Sequence, residues 1–147
     1  MSKINDFVVK FANVNGSGSA SANAMFAKSI FRMGILVTPK NIFPSNIQGL
    51  PTWFEVRISK HGYAARREGI DCFITLNPQT YQTDVKEILP GGYLVYDNTM
   101  PRNFSRKDIN YIGIPMASIC AENYDDPRQR QLFKNIVCLG ALAALLK

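Results

Sequence analysis

Asn15, Gly16, Ser17, Gly18 and Ser19 are the residues of this chain best suited to chemistry. A β-branched apolar run, Val8-Val9 through Val14, feeds their Gly-x-Gly turn, and an Ala-rich helical pattern follows. Glycines let a backbone bend sharply and let a ligand come close. A helix start adds free N–H groups and a positive dipole end, so the arrangement suits an anion, above all a phosphate. The dinucleotide fingerprint is incomplete, because Ser21 stands where its third glycine belongs. The next apolar run, Ile35-Leu36-Val37, ends in Thr38-Pro39-Lys40, with no acid to hold a ribose hydroxyl. NAD and FAD are therefore disfavoured. The absence of Gly-Lys-Ser/Thr excludes a P-loop NTPase. Two readings stay open: the turn receives a phosphate, or it only opens the fold.

Other reactive residues point to no catalytic set. His61 is the single histidine and sits in the turn Lys60-His61-Gly62-Tyr63, far from a nucleophile or acid pair. Asp71, Tyr96 and Asp97 are available acid–base groups, but no motif joins them into a catalytic pair. Cys72, Cys120 and Cys138 are too widely spaced for a metal motif or a disulfide framework, and each has apolar neighbours. They read as small buried hydrophobes in a reducing, cytoplasmic setting. The net charge of +6 gathers at Arg66-Arg67, Arg102, Arg106-Lys107, Arg128, Arg130 and Lys134. Basic loops suit a polyanionic cofactor or an acidic partner. No aromatic row interleaves with them, so no nucleic acid is expected. No apolar run reaches the ~20 residues of a membrane span, and Asp6 stands where a signal peptide would begin its apolar core.

Elements alternate so as to position the turn. Strands are expected at residues 7–14, 35–38, 54–59, 70–76, 93–97 and 111–115, the last at an edge. A helix over residues 19–33 should be capped by Ser17 or Ser19 and bury Met25, Phe26, Ile30 and Met33. Pro78 opens a helix to about residue 87, and Pro90-Gly91-Gly92 breaks the pattern. Asp126-Pro127 starts a long helix whose last part, residues 136–146, is apolar almost all round and should be buried on more than one side, with Gly140 admitting a close neighbour. This is an α/β pattern: a Rossmann-like three-layer domain with a largely parallel sheet flanked by helices. Ligands of such sheets lie at the carboxyl ends of the strands, where the loops at 15–19, 77–80 and 97–102 should meet.

The irregular stretch Asn41-Ile42-Phe43-Pro44-Ser45-Asn46-Ile47-Gln48-Gly49-Leu50-Pro51-Thr52-Trp53 is the most distinctive. Together with residues 11–23, Asn77-Pro78-Gln79-Thr80, Pro90-Gly91-Gly92-Tyr93 and residues 140–145, it resembles the gamma domain of 2-oxoacid:ferredoxin oxidoreductases. Within that family it is most similar to the domain that opens the alpha subunit of the 2-oxoglutarate:ferredoxin oxidoreductase (2-oxoglutarate synthase) group. The resemblance covers nearly the whole chain as one domain, residues 1–147, expected to be part of a longer chain or complex.

The resemblance implies oxidative decarboxylation of a 2-oxoacid on thiamine diphosphate and Mg, electron flow through iron–sulfur clusters to ferredoxin, and acyl transfer to coenzyme A. The thiamine-binding and iron–sulfur parts belong to partner domains or subunits, so this chain alone should be inactive. It implies that the domain helps hold coenzyme A and caps the active site. Asn15, Gly16, Ser17, Gly18 and Ser19 would then meet one phosphate, and Arg102, or else Arg106 or Lys107, another. Ser45, Asn46, Gln48, Gly49 and Thr52 would face the active-site mouth. Many gamma domains carry Gly-Gly where this chain has Ser17-Gly18. The competing expectations are a stand-alone nucleotide- or phosphate-binding protein, and an interaction module whose turn binds nothing.

Overall fold

The structure, a computed structural model, describes residues 5–146. Residues 1–4 and Lys147 lie outside them. Among the described residues six strands form one sheet in the order β2-β3-β1-β4-β5-β6. They are β1 (Asp6–Val14), β2 (Val37–Ile42), β3 (Pro51–Ser59), β4 (Ile70–Thr75), β5 (Ile88–Asp97) and β6 (Asn110–Ile114). β1, β4, β5 and β6 pair in parallel, whereas β3 runs antiparallel to both of its neighbours, β1 and β2. The sheet is thus mixed, with β3 alone reversed.

That reversal corrects the expected first βαβ unit. The strand after the first helix starts at Val37 rather than Ile35 and does not pair with β1, because β3 lies between them. β3 itself was expected to be half exposed, since apolar and polar residues alternate along it. Every residue from Phe54 to Ser59 is buried. The polar ones are accommodated by ion pairs: Glu55 with Arg66 at 2.9 Å and Arg57 with Asp6 at 2.5 Å. A buried charge is tolerable only when it is paired in this way.

Strand alternation sends side chains to two faces. One face carries Val9, Phe11, Phe54, Val56, Cys72, Ile74 and Val95, which pack against Phe26 and Ala27 of α1 (Ser19–Arg32), Met116 of α3 (Met116–Asn123), and Cys138 and Leu142 of α4 (Pro127–Leu145). The other face carries Val8, Ala12, Phe73 and Leu94 beneath Tyr81 and Val85, which belong to α2 (Tyr81–Asp84) and to the 3₁₀ turn Val85–Glu87 that follows it. Three layers result, as expected for the α/β class.

Several local expectations need correction. The α1 N-cap is Gly18, at φ 74°, with no side-chain cap; neither Ser17 nor Ser19 fills that role. Met25 and Met33 face outward, 54% and 74% exposed, and Phe26 with Ala27 forms the buried stripe. The helix expected from Pro78 is reduced to α2 and the 3₁₀ turn. Pro90, Gly91 and Gly92 lie within β5 as a register shift against β4, not as a break before it. Residues 136–146 do not disappear into the core: Ile136 is 40% exposed, and a Cβ on Gly140 would meet nothing within 4 Å.

Candidate functional site

The glycine turn stands at the carboxyl end of β1, where the chain must pass from strand to helix within four residues. Gly16 at φ 84° and Gly18 at φ 74° both adopt the left-handed conformation, which L side chains resist. The Ser17 N–H donates to the Val14 carbonyl at 3.1 Å and closes the bend. No side chain accepts from the first turn of α1, and no acid lies in it. Free N–H groups therefore carry the positive end of the helix dipole toward the outside.

Residues 43–50 form the wall beside this turn. They leave β2 at Ile42 and re-enter the sheet at Pro51, which pairs with Val14. The Asn15 N–H donates to the Leu50 carbonyl at 2.9 Å, the Gly49 N–H donates to the Asn15 carbonyl at 2.9 Å, and Asn15 Nδ2 donates to the Ile47 carbonyl at 3.1 Å. The side chain of Gln48 lies so close to Gly16 that a Cβ there would stand 2.8 Å from its Cγ. Asn15, Gly16, Gln48 and Gly49 thus come together, a meeting that the sequence pattern did not signal. Ser45 Oγ accepts from the Ile47 N–H and shapes the loop. Asn46 is exposed. Thr52 is buried, with its hydroxyl donating to the Ile42 carbonyl, and Ser19 is buried too.

The opposite wall is α4. A Cβ on Gly18 would lie 2.9 Å from Leu132 Cδ1, and Asn135 Nδ2 donates to the Ser17 carbonyl at 3.2 Å. Asn135 is buried; nothing in its sequence spacing signals the contact, which joins residues 118 apart. The adjacent residue, Lys134, pairs with Asp97 at 2.8 Å and holds α4 to the end of β5. Burial pushes the Asp97 carboxyl up, but hydrogen bonds from Lys134, the Thr99 hydroxyl and the Thr99 N–H outweigh it and hold the group below the usual carboxylate range.

Arg102 stands apart from the turn. It follows β5, and its guanidinium lies 5.0 Å from the centre of the Tyr81 ring, at the start of α2. Its Nε is buried without a hydrogen-bond partner. Burial, with a smaller push from Tyr111, raises the Tyr81 hydroxyl to about 12, against the lowering influence of Arg102. Arg106 is engaged elsewhere, with Asp108 at 2.5 Å and with the Val85 and Ile88 carbonyls. His61 is exposed, its ring 5.8 Å from that of Tyr63. Among the described residues no group of three or more His, Cys, Asp and Glu could hold a metal ion. Cys72, Cys120 and Cys138 are free thiols, all buried. No helix among the described residues is long and apolar enough to cross a membrane.

The bare α1 start thus stands at the carboxyl edge of an α/β sheet, the edge at which ligands of that fold class lie. Residues 8–147 match the family model of pyruvate ferredoxin/flavodoxin oxidoreductase, and the chain belongs to that family. Its fold is similar to a chain of the 2-oxoglutarate:ferredoxin oxidoreductase from Magnetococcus marinus, solved with 2-oxoglutarate, coenzyme A and succinyl-CoA bound. There the TM-score is 0.84 at 26% identity, over 97% of this chain and 25% of that one. It also shares its fold with the keto/oxoacid ferredoxin oxidoreductase gamma subunit from Geobacter sulfurreducens, with a TM-score of 0.75 at 18% identity, over 95% of this chain and 76% of that one. A curated relative, 2-oxoacid:ferredoxin oxidoreductase 2 subunit alpha from Aeropyrum pernix, is 29% identical over 82 residues, which are 56% of this chain and 13% of that protein. The chain therefore corresponds to a small part of the larger relatives.

Proposed function

We propose that this chain serves as the gamma-type domain of a 2-oxoacid:ferredoxin oxidoreductase, with 2-oxoglutarate the expected substrate, and that its glycine turn receives a phosphate of coenzyme A. The observation that carries the reading is the bare N-cap at Gly18, kept open by two left-handed glycines and walled by residues 43–50 and by α4. A phosphate fits such a mouth because it needs N–H donors and close backbone approach, and no carboxylate lies in the first turn of α1 to repel it. The coenzyme A and succinyl-CoA of the Magnetococcus marinus structure support the same ligand.

Gly16, Ser17, Gly18 and Ser19 would offer backbone N–H groups, and Gln48 and Asn15 would border the mouth. Arg102 is the candidate for a second phosphate. Coenzyme A supplies a thiol that accepts the acyl group; this chain's residues bind and orient it. Asn46, Gln48 and Gly49 would face the active site, while Ser45 and Thr52 shape that lip from within.

Thiamine diphosphate, Mg and iron–sulfur clusters do not fit the donor set described here. Three separate buried thiols cannot ligate a cluster, and among the described residues no acid cluster suits a divalent ion. We assign them to partner domains or subunits, with ferredoxin acting on the assembled enzyme in the cytoplasm. Exposed Phe43, Ile47 and Leu50 beside the turn suit contact with those partners.

Titration calorimetry with coenzyme A, dephospho-coenzyme A and pantetheine tests the ligand. Binding should weaken stepwise as phosphates are removed. Equal affinity for all three would refute a phosphate site, and no heat from any would leave only an interaction module. Co-purification with thiamine-binding and cluster-bearing subunits tests the assembly.

A further inference from the structure

Asp84 is a buried acid for which the site above has no use. It has no exposed surface. The Trp53 indole N–H donates to its Oδ1 at 3.0 Å, and the Thr80 hydroxyl donates to its Oδ2 at 2.5 Å. These donors come from different lips of the carboxyl edge. Trp53 lies on β3 just after residues 43–50 re-enter the sheet. Thr80 closes the turn that follows β4, and in that turn Asn77 Nδ2 donates to the Asn13 carbonyl at 3.2 Å while its Oδ1 accepts the Gln79 N–H at 3.0 Å.

The neighbouring charges do not form a direct ion pair with this acid. Lys10 lies 5.9 Å from the Trp53 ring centre and 5.6 Å from that of Phe73, and its ammonium pairs with Glu87 at 2.6 Å. Burial pushes the Asp84 carboxyl up, aided by Glu87 and opposed by Thr80, Trp53 and Lys10. An apolar side chain would fill such a core position at lower cost, because a buried carboxylate loses its hydration. What the carboxylate adds is two directional acceptors.

We propose that Asp84 is a positioning residue: its two oxygens lock residues 43–53 to the turn at 77–80, so that the two segments flanking the carboxyl end of β1 stay in register beside the glycine turn. The effect on ligand rests on the coenzyme A reading above; the lock itself does not.

Amide hydrogen exchange on the full chain tests the lock, with Asp84→Asn and the milder Trp53→Phe, which keeps a ring but removes the indole donor. Calorimetry with coenzyme A runs in parallel, at a temperature where all variants are folded. In both variants the amides of Asn15, Gly49 and Gln79 should exchange roughly tenfold faster, while Val9 and Phe11 keep their protection. Coenzyme A should bind roughly tenfold more weakly to both variants. Unchanged exchange at the three lip amides in both variants overturns the lock. So does equal acceleration in β1, which would mark a merely structural role. If the unaltered chain ignores coenzyme A yet the lip amides respond as stated, the ligand reading falls and the lock stands. If coenzyme A binds all three proteins alike and the lip amides stay protected, the lock falls and the ligand reading stands.

Discussion

Replacing Gly16 by Ala separates backbone strain from loss of a site. At φ 84° an added Cβ costs about 1–2 kcal/mol. It would also stand 2.8 Å from Gln48 Cγ and 3.3 Å from Gln48 Cδ and Nε2. Gln48 is exposed, so it rotates aside for about 0.5–1 kcal/mol more. Gly34 supplies the control. It has φ 81°, nothing within 4 Å of its Cβ position, and a place at the far end of α1. Gly34→Ala therefore carries the strain alone, and its melting temperature should fall by roughly 3–8 °C. Gly16→Ala should fall by that amount or slightly more. The two must part in ligand affinity. A methyl group and a displaced Gln48 block close approach to the N–H groups, and losing one or two charge-assisted hydrogen bonds costs about 1.5–3 kcal/mol, on the order of 10- to 150-fold in Kd. Scanning fluorimetry and calorimetry with coenzyme A read both quantities. Equal Kd values for Gly16→Ala and Gly34→Ala would refute the glycine turn as the ligand site.

Further outcomes follow from the packing around the mouth. Asn135→Ala removes the donor to the Ser17 carbonyl and should cost about 1–2 kcal/mol in a denaturant titration; an unshifted midpoint would show that this hydrogen bond contributes nothing. Asp97 is held below its ordinary value when folded, so its contribution is present above the unfolded value and is lost as pH falls through the folded one. Asp97→Asn should therefore flatten the acid side of the stability–pH profile, and a superimposable profile would count against the Lys134 and Thr99 contacts. Cys72 and Cys138 are pushed up to about 12, chiefly by burial, so iodoacetamide at mildly alkaline pH should spare both in the native chain and label them in denaturant. Labelling of the native chain at either position would contradict the packing.

The glycine turn was legible because its signal is local: a strand, two glycines and a helix within about fifteen residues. The irregular loop at residues 43–50 was legible through its unusual composition and the family resemblance, not through periodicity; its packing on the glycine turn was not legible. What the sequence hid depends on distant partners. The alternation of Phe54 to Ser59 reads as a half-wet strand, and burial of Glu55 and Arg57 becomes visible only once Arg66 and Asp6 are brought against them. The reversal of β3 is equally silent, since direction leaves no trace in hydrophobic pattern. Pro90, Gly91 and Gly92 resemble a stop, yet the extra residues are taken up as a register shift between β4 and β5, where a Cβ on Gly92 would press on the Asp71 carbonyl at 2.9 Å. Asp84, Leu132 and Asn135 bear no motif; they matter through where α2 and α4 bring them.

Trp53 is the sole tryptophan of the chain, and its indole is anchored at the seam between two lips of the mouth. The protein thus carries one native indole fluorophore, hydrogen-bonded to Asp84 beside the loop that the proposed coenzyme A reading places at its ligand. Emission from that ring can follow occupancy or assembly in real time with no dye attached, and no second indole adds background.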